Sequence, residues 1–91
     1  MKSEDGKILI TGVAGFIGAA LCKRLLENRE SIIGIDNFNS YYDKNLKLDR
    51  VKNLKYVVKK NKGNLRLFDF DLNENKLIEK IFLENKIKLV I

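Results

Sequence analysis

Apolar residues along this chain alternate between short continuous runs and runs with helical spacing. Residues 7–11 (KILIT) and 31–35 (SIIGI) are short, rich in β-branched side chains and bounded by turn residues, which predicts two buried strands. Between them, a helix is predicted from Phe16 to about Asn28. Its apolar stripe comprises Ile17, Gly18, Leu21, Cys22, Leu25 and Leu26.

The second half of the chain continues this alternation less regularly. Residues 37–45 (NFNSYYDKN) have a turn-like composition, and a helical pattern follows at Leu48, Val51, Leu54 and Val58. A third strand is predicted over residues 65–70, and a fourth over residues 86–91 (KIKLVI). The helix between them would be capped by Asn73, with an apolar face of Leu77, Ile78, Ile81 and Phe82.

This order of elements predicts the α/β class, as a Rossmann-like open parallel sheet with helices on both faces. The sheet would be incomplete, with about four strands. A parallel strand is normally covered on both faces, and no helix follows residues 86–91 to cover the last one. We therefore expect residues 1–91 to be the N-terminal part of a larger domain, with no second domain present.

Composition removes several classes of chemistry. The chain has one cysteine, Cys22, and no histidine, so we expect neither a zinc site nor a histidine-based catalytic triad, and no metal ligands. We expect Cys22 to be a packing residue. No apolar stretch is long enough to span a membrane, so a cytoplasmic protein without a membrane partner is the expectation.

The net charge of +6 is concentrated in one segment. Residues 44–66 contain nine of the eighteen basic residues and a single acid, Asp49. Three interpretations are open: a solvated surface, a site for an anionic ligand, or a nucleic-acid interface. Because Tyr56 is the only aromatic residue interleaved with these charges, we favour the solvated surface and expect no nucleic-acid partner.

Three glycines follow the first strand at positions 12, 15 and 18. They could form only a tight turn, or they could form a phosphate cradle at a helix N-terminus. The strand before them and the helix after them favour the cradle, because free N–H groups and the positive end of the helix dipole would face a pyrophosphate. An acid that could bind a ribose, Asp36, also ends the next strand at the expected spacing, so we predict nucleotide binding.

Two stretches carry a resemblance to a known family. Residues 12–18 (GVAGFIG) resemble the glycine loop of the extended short-chain dehydrogenase/reductases, the NAD-dependent sugar-nucleotide epimerases and dehydratases. Residues 34–50 (GIDNFNSYYDKNLKLDR) are similar to the UDP-glucuronate 4-epimerase branch, in which a Leu-Lys and an Arg follow the paired tyrosines. The resemblance implies that this chain corresponds to about the first quarter to third of such an enzyme, the N-terminal part of its NAD-binding Rossmann domain.

The resemblance also implies roles for individual residues. Asp36 would hold the adenosine ribose, and its charge would repel the 2′-phosphate of NADP. Asn37, Asn39 and Ser40 would line the ribose region or simply build a turn. Asp71 and Leu72 would contact adenine, or Asp71 would only begin a helix. The pyrophosphate would be held by Gly12, Gly15, Phe16, Ile17 and Gly18.

The family's reaction, oxidation of a UDP-sugar at C4 by NAD and its reduction from the other face, uses a tyrosine and a lysine four residues later. Tyr56 and Lys60 match that spacing, but they precede the third strand, where the resemblance implies a peripheral connection. We expect no catalytic residue in this chain, no activity of the chain alone, and weak or unmeasurable NAD binding. The alternatives are a non-catalytic nucleotide-binding or self-associating module, and another sugar-nucleotide epimerase or dehydratase.

Overall fold

The computed structural model describes residues 6–37, 44–61 and 63–91. Within those ranges, the predicted elements are present in the predicted order. The strands are β1 (Lys7–Thr11), β2 (Ser31–Asp36), β3 (Asn64–Asp69) and β4 (Ile87–Val90), and the helices are α1 (Phe16–Glu27), α2 (Lys44–Asn61) and α3 (Asn75–Glu84).

The four strands form one parallel sheet in the order β3-β2-β1-β4. The chain moves in one direction from β1 to β3 and then returns past β1 to β4. Because β-helix-β crossovers are right-handed, α1 and α2 cover one face and α3 covers the other. This confirms the predicted Rossmann-like sheet with helices on both faces.

Side chains alternate between the two faces along each central strand. Ile8, Ile10 and Ile32 pack with Cys22 and Leu26 of α1, and Leu54 and Val57 of α2 complete that cluster. Leu9, Ile33 and Ile35 point to the opposite face, where Ile81 of α3 joins them. All six residues of β2 are buried, as expected for a central parallel strand.

Two local predictions were wrong. Asn73 does not cap α3: its backbone N–H donates to Asp71 Oδ1 at 2.9 Å, which forms a local turn, and the helix begins after Glu74. Ile17 is not part of the buried stripe of α1, because its side chain is 78% exposed at the start of the helix. The buried residues of α1 are Ala19, Cys22 and Leu26.

The outer strand β4 is thinly covered. Leu89 and Val90 are each about half exposed, whereas the residues of β2 are fully buried. No helix among the described residues is long and apolar enough to cross a membrane.

Candidate functional site

The glycine loop joins β1 to α1 at the carboxyl edge of the sheet. Gly12 has a φ of +66°, a left-handed conformation that favours glycine. Its N–H donates to the carbonyl oxygen of Ile35 at 2.8 Å, and the N–H of Val13 donates to the same oxygen at 3.2 Å. The loop is therefore fixed to the end of β2, next to Asp36.

The loop also packs closely on α1. A Cβ atom added to Gly18 would collide with the carbonyl oxygen of Gly12, and a Cβ added to Gly15 would lie 3.2 Å from that oxygen. These two glycines therefore allow the helix backbone to lie directly against the loop.

The N-terminus of α1 is suited to an anion. Its N-cap residue is Gly15, which provides no side-chain cap, and the first turn contains no acidic residue. The first N–H groups of a helix lack intrahelical acceptors, and they carry the positive end of the helix dipole. Phe16 and Ile17, in that turn, have side chains that are 75% and 78% exposed.

A pocket of about 200 Å³ lies beside this loop at the ends of β1, β2 and β3. Parallel strands bring their carboxyl ends to one edge of the sheet, so residues far apart in sequence meet there. Five of the residues proposed from sequence line the pocket, together with three that were not proposed. The lining residues are Gly12, Ile35, Asp36, Asn37, Lys47, Phe70, Asp71 and Leu72.

Asp36 lies at the centre of a buried polar network. Its Oδ2 accepts a hydrogen bond from the N–H of Ala14 at 3.0 Å, and its Oδ1 lies 3.0 Å from Nζ of Lys47. Asp36 and Lys47 are only 5% and 7% exposed. A buried carboxylate requires such partners, because an uncompensated charge in the protein interior is costly.

Sequence reasoning missed the contribution of α2 to this site. The prediction of a solvated surface over residues 44–66 is wrong at Lys47, which is buried against Asp36. One turn later, Arg50 Nη1 donates to the carbonyl oxygen of Ala14 at 3.2 Å, and its guanidinium lies 5.9 Å from the centre of the Phe16 ring. Both residues belong to the Leu-Lys and Arg of residues 34–50, the signal that could have identified them.

Asn37 and Asp71 meet across the mouth of the pocket. Asn37 Nδ2 lies 3.3 Å from Asp71 Oδ2, and both residues are exposed, as is Leu72. Since α3 begins only at Asn75, Asp71 does not begin a helix, and that alternative was wrong. Asn39 and Ser40, like Tyr41 and Tyr42, lie outside the described residues.

Tyr56 and Lys60 lie on a different surface from this pocket. They line a shallow depression between α2 and α1, together with Lys23 and Glu27. Neither residue is among those that line the pocket at the strand ends.

Comparison with known proteins agrees with this geometry. The family model described as GDP-mannose 4,6 dehydratase matches residues 9–91. The chain belongs to that family. Among its curated relatives, protein CapI of Staphylococcus aureus is 36% identical over 85 residues, covering 93% of this chain and 24% of CapI. A UDP-glucuronate 4-epimerase of Thermodesulfobacterium geofontis is 35% identical over 86 residues, covering 94% of this chain and 25% of that protein.

A solved structure similar to this chain has the same fold. It is a tyrosine-to-phenylalanine variant of the UDP-glucuronic acid 4-epimerase of Bacillus cereus, in complex with NAD and UDP-4-deoxy-4-fluoro-glucuronic acid. The two chains superimpose with a TM-score of 0.73 at 29% identity, over 92% of this chain and 24% of that one. This chain thus spans about a quarter of the length of these three relatives.

Proposed function

We propose that this segment binds the adenosine diphosphate half of NAD at the pocket beside the glycine loop. The observation that carries the proposal is the convergence of Gly12, Asp36, Asn37, Asp71 and Leu72 on one pocket next to the N-terminus of α1. These residues come from three separate strand ends. The family resemblance assigned the same residues to the nucleotide.

Each part of the nucleotide has a matching part of the site. The pyrophosphate would accept hydrogen bonds from the main-chain N–H groups of Phe16, Ile17 and Gly18. Asp36 would accept hydrogen bonds from the adenosine ribose, with Asn37 beside it. Adenine would lie against Leu72, with Asp71 at the mouth of the pocket.

The residues present fit the cofactor on steric grounds as well. The loop approaches α1 so closely that no side chain fits at Gly18, and the N-cap residue Gly15 has no side chain that would occupy the place of a phosphate at the helix N-terminus. When bound, NAD would supply a hydride acceptor at its nicotinamide ring. The residues of this chain would hold and orient its adenosine half.

We further propose that the segment serves a sugar-nucleotide epimerase of the UDP-glucuronate 4-epimerase type. The support is the stretch of residues 34–50 and the 35% identity to the UDP-glucuronate 4-epimerase of Thermodesulfobacterium geofontis. In that activity the substrate would be a UDP-sugar, and the protein would be cytoplasmic. Another sugar-nucleotide epimerase or dehydratase of the same family is the alternative.

The contacts available in this segment limit its affinity. A helix N-terminus contributes about 0.3–2 kcal/mol to anion binding, and a hydrogen bond to a charged group about 1.5–3 kcal/mol. Together they amount to about 2–5 kcal/mol, which corresponds to a dissociation constant of about 0.2 mM at best and to millimolar values once the cost of ordering the cofactor is subtracted. The 91-residue chain is therefore expected to bind NAD weakly and to have no epimerase activity.

Titration followed by two-dimensional amide NMR tests the proposal at this affinity. With NAD up to about 10 mM, the amide signals of Gly12, Gly15 and Asp36 should shift together along one saturation curve. ADP-ribose should shift the same signals, whereas nicotinamide mononucleotide, which has a phosphate but no adenosine, should leave the Asp36 signal in place. Unchanged signals with NAD, or equal shifts with nicotinamide mononucleotide, would contradict the proposal.

Self-association through β4 is a second candidate function. Within the described residues β4 pairs only with β1, and Leu89, Val90 and Ile91 are 43–52% exposed. An unpaired strand edge with apolar side chains favours pairing with a second copy. Light scattering should then give a dimer mass that Val90→Lys converts to a monomer mass, while a monomer at all concentrations would exclude this candidate.

A further inference from the structure

The pocket is lined by a pair of opposite charges rather than by a carboxylate alone. Nζ of Lys47 lies 3.0 Å from Oδ1 of Asp36, and the two side chains are 8% and 3% exposed. Both residues line the pocket at the strand ends. A ribose in this pocket would therefore face a carboxylate and an ammonium together, whose charges largely cancel.

The fold holds this pair in place from two sides. Oδ2 of Asp36 is fixed by the N–H of Ala14, and the carbonyl of the same residue is held by Arg50, one turn of α2 beyond Lys47. Helix α2 is thus attached to both the carboxylate and the glycine loop. Neither charge can turn away from the pocket without breaking this network.

The arrangement changes the expected basis of nucleotide choice. A carboxylate alone would repel a 2′-phosphate, but the ammonium of Lys47 offsets that repulsion at short range. A carboxylate has about four lone-pair sites, so Asp36 can bind Lys47 and Ala14 and still accept a hydrogen bond from a ribose 2′-hydroxyl.

We propose that Lys47 is a specificity-determining residue, which together with Asp36 sets the preference between a 2′-hydroxyl and a 2′-phosphate on the adenosine ribose. The inference rests on the proposed binding of NAD at this pocket. With both charges present, the pair selects the hydroxyl by hydrogen bonding. Without the carboxylate, Lys47 becomes a cationic receptor for a 2′-phosphate.

The test measures the dissociation constants of NAD and NADP for a set of variants by the same NMR titration, and compares their ratio. In Asp36→Asn this ratio should change about tenfold in favour of NADP binding, because one negative charge near the 2′-phosphate is lost. Adding Lys47→Met to Asp36→Asn should abolish that shift. Lys47→Met alone should shift the ratio about tenfold toward NAD.

Two controls separate charge in the pocket from charge elsewhere and from folding. Lys52 is exposed on the same helix, so Lys52→Met removes the same charge and should leave the ratio unchanged. Lys47→Arg keeps the charge at the pocket, so its ratio should stay closer to that of the wild type than the ratio of Lys47→Met does. Lys47→Met leaves the buried carboxylate of Asp36 without its cation, which can prevent the variant from folding. In that case Asp36→Asn and the neutral double variant still provide the decisive comparison.

The result also separates this inference from the proposed function. Suppose that NAD shifts the pocket signals of the wild type, but Asp36→Asn and the double variant have the same ratio of NADP to NAD dissociation constants. That result would overturn the role of Lys47 and leave the proposed function standing. If NAD shifts no pocket signal in the wild type, both the inference and the proposed function fail.

Discussion

Replacing Gly18 by alanine tests whether α1 is packed against the glycine loop as described. On an ordinary helix position, Gly→Ala increases stability by up to about 1 kcal/mol. At Gly18 the new Cβ would collide with the carbonyl oxygen of Gly12, and it would lie 3.0 Å from its carbonyl carbon and 3.3 Å from Cα of Val13. All three atoms belong to the backbone, so none can rotate away.

The expected cost exceeds the expected gain. Overpacking typically destabilises a protein by about 1–3 kcal/mol, and a contact with backbone atoms belongs at the upper end of that range. After the gain in helix propensity is subtracted, Gly18→Ala should lower the free energy of unfolding by about 2 kcal/mol. The loop can relieve the collision only by moving away from α1, so the variant should also bind NAD more weakly.

Urea unfolding monitored by circular dichroism measures this effect. The matched control is Ala20→Gly, an exposed position of the same helix, which should lose about 1 kcal/mol through propensity alone. The midpoint of Gly18→Ala should fall below that of Ala20→Gly with an unchanged slope. A Gly18→Ala protein as stable as the wild type, or more stable, would refute the close packing of helix and loop.

Two further predictions concern the same helix. Arg29 follows α1 with a φ of +63°, and the N–H groups of Arg29 and Glu30 donate to the carbonyl oxygens of Leu26 and Leu25. Because glycine adopts this left-handed conformation without strain, Arg29→Gly should raise the free energy of unfolding in urea by about 0.5–1 kcal/mol. No increase would contradict a left-handed Arg29. Burial raises the pKa of the Cys22 thiol from 9.0 to about 12, so the unfolded state releases its proton first as the pH rises. Between pH 8 and pH 10 the wild type should therefore lose about 1.4 kcal/mol more stability than Cys22→Ala, and parallel pH profiles for the two proteins would contradict this.

The fold follows from features that a sequence displays directly. Short β-branched runs and helical stripes depend on neighbouring residues, so the four strands and three helices within residues 6–37, 44–61 and 63–91 were predicted. Helix ends were less accurate, since Asn73 is a reasonable N-cap until Asp71 is seen to bind its N–H. The exposed position of Ile17 likewise depends on how α1 meets the loop, which local periodicity does not encode.

The site was predicted in part. Gly12, Asp36 and Asp71 each follow a predicted strand, so their meeting at one edge follows from the parallel order. The pairing of Lys47 with Asp36 could not be derived from charge counts, because residues 44–66 contain nine basic residues and the count does not distinguish the buried one. Only the packing of α2 against the end of β2 selects Lys47.

The central claim is that the adenosine half of NAD occupies the pocket at the ends of β1, β2 and β3. Intermolecular nuclear Overhauser effects between excess NAD and the 13C-labelled chain test it most directly, because they report direct proton–proton contacts in the bound complex. The account predicts contacts from adenine and the adenosine ribose to the side chains of Leu72 and Phe70. Contacts instead to Val58, Leu65 and Leu67, which line a separate groove between α2 and β3, would contradict it.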